Sequence, residues 1–269
     1  MELYYAPLFS GSSGNCVFVG CENARLIVDA GVSGARICKS LSDIGVRADE
    51  LNGILVTHEH ADHIQSVGIL SRKYDLPIYA TSGTWMGMEK KIGHVESKNI
   101  RLIDPEREFS IGNITVLPFS TPHDALDPVG YSFQLGVSCF ALATDIGCVK
   151  ESWLKYALEA DSVLLEANYD PDMLRAGPYP YDLKKRILSR KGHLSNDDSG
   201  LAAAKLIGSG TKHIILGHLS KENNFPELAL RSVEGILYSE GIDANADVEI
   251  EVAKRDAITG LFQVRSGWK

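Results

Sequence analysis

Residues 57–63 read Thr57-His58-Glu59-His60-Ala61-Asp62-His63, directly after the apolar run Gly53-Ile54-Leu55-Val56. The stretch sets three imidazoles and the Asp62 carboxylate within six consecutive positions of a chain that holds only 8 histidines, so chance clustering explains it poorly. On an extended strand end His58, His60 and Asp62, spaced two apart, project to one side. His63 follows where the chain can turn into Ile64-Gln65-Ser66-Val67. Histidine is the commonest metal ligand, and a carboxylate completes a mixed nitrogen and oxygen site. The helical single-metal pattern H-E-x-x-H does not apply, because the spacing here is H-E-H. Four such groups on one short loop can serve two neighbouring metal ions.

With 269 residues the chain is long enough for one large α/β domain, and no repeat, low-complexity tract or linker divides it, so one domain is expected over 1–269. Its 5 cysteines (16, 21, 38, 139 and 148) are odd in number and form no C-x-x-C pair, which reads as the reduced thiols of a cytosolic protein. The N-terminus has no basic segment followed by an apolar core, and no stretch reaches membrane-spanning length. A cytoplasmic enzyme with no membrane partner is expected. A net charge of −8 argues against a sequence-independent nucleic-acid coat. It leaves a nuclease open, since bound cations and a local basic strip can dominate the field at a site. Lys184-Lys185-Arg186 with Arg190-Lys191 is such a strip, and it reads equally as a solvated helix face.

Short β-like runs alternate with helical segments. Strands are expected at 16–19, 25–28, 54–56, 78–80, 114–117, 131–135, 139–143, 163–165, 214–216 and 248–252, and helices at 34–44, 64–74, 84–91, 150–160, 181–189, 196–207 and 226–239. Some strands alternate and others are continuously apolar, which fits two packed sheets with outer helices. The remaining ligand-type residues fall at one kind of position. Asp29, His123, Asp145, Glu166 and His218 each sit at or just beyond the C-terminal side of an apolar run. Loops at one edge of a rigid sheet scaffold are where binding groups gather.

With these residues in place, the chain resembles the metallo-β-lactamase superfamily. The H-x-H-x-D-H signature of that family is His58-Glu59-His60-Ala61-Asp62-His63, and Asp29, His123, Asp145 and His218 follow its further motifs in order. The resemblance implies an αββα four-layer sandwich of two mixed β-sheets flanked by helices, with two divalent metal ions (zinc, manganese or iron) at one edge. It implies that His58, His60 and His123 hold the first ion and Asp62, His63 and His218 the second. Asp145 would bridge them, and Asp29 would orient ligands by hydrogen bonds. Asp29 also reads as a turn residue before Ala30-Gly31.

A narrower resemblance is to tRNase Z, in which a segment like Gly192-His193-Leu194-Ser195-Asn196 pairs its His with a Glu matching Glu166. An acidic partner is expected to raise the imidazole's pKa, so Asp62, Glu166 and His193 are the candidate catalytic residues. The plainer reading has Ser195 or Asn196 capping a helix beside a solvated His193. The opening Phe9-Ser10-Gly11-Ser12-Ser13-Gly14-Asn15-Cys16 and the segment from Tyr169 to Tyr181 look most like the YycJ/WalJ-type family. That likeness implies a metal-dependent exonuclease acting on DNA from 5′ ends. The interval between Asp145 and His193 is too short for the extra domain of β-CASP nucleases. Asn15, Tyr169, Lys184, Lys185, Arg186, Arg190 and Asn196 are candidates for substrate contact. Tyr169, Tyr179 and Tyr181 could stack on a terminal base or serve as rim or core residues. Two rival functions share the metal core: a small-molecule hydrolase acting on a cyclic phosphodiester, lactone or thioester, and a non-catalytic regulatory metal-binding accessory.

Overall fold

The apolar runs pair into two sheets because each alternates between two buried faces. The computed structural model describes residues 1–244 and 246–265. The first sheet holds β1 (Tyr4–Phe9), β2 (Cys16–Cys21), β3 (Ala24–Val28), β4 (Gly53–Leu55), β5 (Ile78–Ala80) and β6 (Ile100–Leu102). The second holds β7 (Phe109–Ile111), β8 (Ile114–Ser120), β9 (Val129–Leu135), β10 (Ser138–Ala143), β11 (Ser162–Glu166), β12 (His213–Gly217) and β13 (Glu249–Val252). A last strand, β14 (Phe262–Gln263), returns to the first sheet, giving two 7-stranded sheets in the orders β14-β1-β2-β3-β4-β5-β6 and β13-β12-β11-β10-β9-β8-β7. Strands β3 to β6 run parallel, as do β10 to β13, and the remaining pairs are antiparallel, so both sheets are mixed.

The helices are α1 (Gly34–Asp43), α2 (Ala61–Ile64), α3 (Val67–Tyr74), α4 (Ser82–Ile92), α5 (Glu151–Ala157), α6 (Pro171–Ala176), α7 (Tyr181–Ile187), α8 (Asn196–Ser209) and α9 (Pro226–Ser239). Side chains of α1, α3 and α4 pack with Ile27, Ile54 and Ile78 on the outer face of the first sheet. Those of α5, α8 and α9 pack with Ala141, Val163, Leu165 and Ile214 outside the second. Between the sheets lie Leu26, Val28, Leu55, Phe133, Phe140, Leu142, Leu164 and Ile215. On β10 and β11 successive residues therefore enter different cores, which is why those runs are apolar throughout. Each fully buried Leu, Ile or Phe contributes roughly 1.5–3 kcal/mol by leaving water. The expected four-layer αββα arrangement is the one found.

Several expected elements differ in extent. The helix expected over 64–74 is two helices, because Ser66 leaves helical geometry to bond the chain beside β3. Its N–H donates to Ala30 O and its Oγ to Val32 O. Strands β1, β6, β7 and β14 and helix α6 went unread in the sequence. Among the described residues no helix is long and apolar enough to cross a membrane.

Candidate metal centre

The C-terminal ends of strands from both sheets meet at one edge. There β3 leads into Asp29, β4 into residues 57–63, β8 into His123, β10 into Asp145 and β12 into His218. The two sheets are tied at this edge by Val129 N donating to Thr57 O and Tyr131 Oη donating to Val56 O. Asp29, Asp145 and His218 all take left-handed backbone angles, with φ of 62°, 60° and 57°. Such angles are uncommon outside glycine and cost free energy that the surrounding fold must supply. Here each one turns the chain sharply at a strand end. Gly31 is required by close approach, since a Cβ there would lie 1.6 Å from Asp62 O and 2.7 Å from Asn15 N.

Hydrogen bonds fix which nitrogen of His58, His63 and His123 faces inward. The Thr57 hydroxyl donates to Asp29 Oδ2, so its oxygen accepts from His58 Nδ1 at 3.0 Å and leaves His58 Nε2 bare. His123 Nδ1 donates to Gly192 O at 2.9 Å, which likewise leaves Nε2 bare. His58 Nε2 and His123 Nε2 then lie 3.0 and 3.4 Å from His60 Nδ1. His63 Nδ1 donates to Asp29 Oδ2 at 2.8 Å, and its Nε2 lies 3.5 Å from both Asp62 Oδ2 and Asp145 Oδ2. His218 stands 3.0 Å from Asp145 through Nδ1 and 3.9 Å from Asp62 through Nε2. Asp145 spans the two groups, with Oδ1 3.7 Å from His123 Nε2 and Oδ2 toward His63 and His218.

Ring nitrogens and carboxylate oxygens that converge at these distances offer the lone pairs that a divalent cation takes. His58, His60 and His123 form one set of donors within 4.8 Å of each other, and Asp62, His63 and His218 form a second. The donor set therefore suits divalent cations. All of these residues except His60 and Asp62 are buried. His63 and His218 hold the Asp62 carboxyl near about 2, against the opposing push of its burial.

Glu166 and His193 stand beside the cluster. His193 Nδ1 is 2.7 Å from Glu166 Oε1, and Glu166 Oε2 accepts from Ile146 N and Leu194 N. Burial first, and then the charge of Asp145, pushes the Glu166 carboxyl up to about 8. His193 moves down, because burial outweighs the pull of Asp145 and Asp124. The sequence-based expectation of a raised imidazole is thus corrected: its carboxylate partner is itself buried and inclined to be neutral. Since the folded value of Glu166 lies above its ordinary 4.5, it contributes stability at low pH that is lost as pH rises through about 8. Metal-free Glu166→Gln is therefore expected to melt several degrees above metal-free wild type near about pH 9, and level with it near about pH 5. Melting curves offset equally at both pH values would contradict this.

The candidate substrate contacts divide. Tyr169 is 5% exposed and packs with Leu174 and Ile187 in the small core under α6 and α7, with Tyr179 against it, so it offers no face to a base. Asn196 is 0% exposed and exchanges amide hydrogen bonds with Asn224 at 2.8 and 3.2 Å, so its burial keeps it from a ligand. Both expectations are corrected by burial, and Ser195 is the residue that caps α8. Arg186 forms a two-pronged ion pair with Asp124, the residue after His123, and Lys184 Nζ donates to Arg175 O at 2.7 Å. Lys185 and Arg190 are exposed, as is Tyr181, while Asn15 reaches into the cluster. Sequence reasoning assigned no role to Thr57, whose hydroxyl serves Asp29, His58 and His63, or to Asp124. Adjacency to a candidate ligand was the only available signal for either. A recess of about 470 Å³ adjoins Asp62, lined by Ser13, Gly31, Ala61, Ile64, Gln65 and Lys91. A larger one, about 880 Å³, opens around His213 at the opposite end of β12 and takes no part in the cluster.

Residues 24–219 match the Beta-lactamase superfamily domain. The chain is 40% identical over 262 residues to exodeoxyribonuclease WalJ of Streptococcus pneumoniae, covering 97% of each chain. It is 41% identical over 250 residues to exodeoxyribonuclease YycJ of Bacillus anthracis, covering 93% of this chain and 95% of that one. Among solved structures, the metallo-beta-lactamase fold protein YhfI from Bacillus subtilis superposes with a TM-score of 0.73 over 98% of this chain and 100% of that chain, at 16% identity. That last likeness is one of fold.

Proposed function

The chain belongs to the β-lactamase superfamily, and from that premise we propose that it is a metal-dependent exodeoxyribonuclease that removes nucleotides from the 5′ ends of DNA. The observation that carries this reading is the end-to-end likeness to two exodeoxyribonucleases in a chain whose strand ends gather a full His/Asp cluster. His58, His60 and His123 would hold one cation, Asp62, His63 and His218 a second, and Asp145 would contribute an oxygen to each. Zinc, manganese and iron all suit these donors. Bound cations supply Lewis acidity, which activates water and neutralises phosphate charge.

The chain's own residues supply the rest. Asp29 and Thr57 hold His58 and His63 in the tautomers that face the cluster, and Gly192 O does the same for His123. With Nδ1 taken up by Glu166, His193 can present Nε2 to the departing oxygen and give it a proton. Lys185 and Arg190 stand free on the α7 side to meet flanking phosphates, whereas Arg186 is shared with Asp124.

The test is incubation of the purified protein with 5′-phosphorylated duplex DNA and manganese, zinc or iron. The expected products are mononucleotides released from the 5′ end, with the 3′-terminal label retained until late. Release no greater than that of an Asp145→Ala control, with every metal and substrate form, would reject the assignment. Loss of the 3′ label first would reject the polarity alone.

A further inference from the structure

The serine- and glycine-rich loop between β1 and β2 takes no part in the mechanism so far, yet its last residue lies against the cluster. Asn15 is 7% exposed, and its Oδ1 accepts from Gly11 N at 3.0 Å. A backbone N–H can only donate, so this contact fixes which end of the amide is oxygen. The NH₂ group therefore faces the other way, with Nδ2 3.1 Å from His63 Nε2 and 3.4 Å from Asp62 O. His63 Nδ1 is committed to Asp29, so the nitrogen beside Asn15 is the one that looks into the cluster.

We infer that Asn15 is a further catalytic residue, whose side-chain amide donates a hydrogen bond to a non-bridging oxygen of the reacting phosphodiester. The inference rests on the phosphodiesterase reading above. A His63 Nε2 that gives its lone pair to a cation cannot accept a hydrogen bond. One Asn15 N–H then stays near Asp62 O, and the other needs an acceptor in the space that the reacting phosphate must enter. Holding the loop uses the oxygen of this side chain and the N–H near Asp62 O; the N–H facing His63 Nε2 is the one that a purely structural role leaves over once a cation takes that nitrogen. The donor is also held firmly. Asn15 N donates to Asp62 O at 2.9 Å, and Gly31 N to Asn15 O at 2.8 Å. Gly14, at φ 153°, packs so closely that a Cβ would lie 2.4 Å from Val32 Cγ1. A donor fixed before substrate arrives needs no reorganisation during reaction, which is what makes such groups effective.

Two measurements on the zinc-loaded full chain test this, with inorganic phosphate as the probe, and neither depends on nuclease activity. In wild type, the ¹⁵N-resolved Asn15 side-chain amide signal, identified by its disappearance in Asn15→Asp, is expected to move downfield as phosphate is added. By calorimetry, Asn15→Ala is expected to bind phosphate about tenfold more weakly than wild type while retaining its zinc, and to release nucleotides about 10²-fold more slowly. An amide signal that phosphate leaves in place overturns the inference, as does unchanged phosphate affinity. Loss of zinc from Asn15→Ala also overturns it, because Asn15 would then be a support of the metal loop. If Asn15→Ala does not fold, the wild-type amide signal decides. Wild type that binds phosphate through Asn15 but releases no nucleotide from any DNA would sink the exonuclease reading and leave the contact standing.

Discussion

Asp145→Ala is expected to abolish nucleotide release, by about 10³-fold or more, and to strip most of the bound metal. Asp145 is 3% exposed, and its two oxygens reach toward both donor sets. Burial pushes its carboxyl up, but His218, His63 and His58 together hold it well below the usual carboxylate range, which favours the anion. Removing it leaves several inward-facing imidazoles with one fewer counter-charge in a dry site, where breaking a buried pair costs about 3–5 kcal/mol. Asp145→Asn separates charge from shape. It keeps the side-chain volume and the left-handed turn at φ 60°, a conformation asparagine tolerates, and should still lose metal. Elemental analysis after dialysis, beside the nuclease assay, checks both variants. Full metal content in Asp145→Ala would show that the residue does not link two ions.

How much of this was legible in the sequence depends on what each residue's neighbours are. The strands β10, β11 and β12 announced themselves because both of their faces are buried, so Phe140, Ala141, Leu142 and Ala143 form one unbroken apolar run. Strand β6 gave no such signal, since Ile100, Arg101 and Leu102 lie exposed at a sheet edge and span three residues. The positions of Asp29, Asp145 and His218 could be read because a polar residue ending an apolar run has few reasons to be there. Their left-handed geometry was only hinted at by the glycines two residues beyond Asp29 and Asp145. The burial of Tyr169 and Asn196 was not readable at all. Tyrosine serves cores and rims alike, and Asn196 is satisfied by Asn224, a partner that lies beyond α8 and β12. The direction of the His193 shift was hidden for the same reason: pairing with a carboxylate is visible in a motif, whereas the burial of that carboxylate is a property of the whole fold.

The second large effect is expected at His193, where replacement by alanine should lower kcat on DNA by about 10²–10³-fold and leave metal content unchanged. His193 lies within reach of His123 and Asp145, but its Nδ1 is occupied by Glu166 at 2.7 Å, which takes that nitrogen away from a cation. A role in protonating the departing oxygen can be separated from a role in shaping the site by changing the leaving group. A nucleotide p-nitrophenyl ester expels p-nitrophenolate, which departs readily without a proton, whereas the DNA alkoxide does not. His193→Ala should therefore retain most of the wild-type rate on the p-nitrophenyl ester while losing it on DNA. Equal losses on both substrates would remove the acid role and leave His193 as a residue that positions substrate through its contacts with His123 and His218, whose ring centroids stand 5.1 and 5.3 Å away. Glu166→Gln adds the last discrimination. A glutamine in that buried position can still accept from Ile146 N and Leu194 N but has no acidic proton to pass to His193 Nδ1. It should fall between wild type and His193→Ala on DNA and match wild type on the ester, because its effect passes only through the proton that His193 carries.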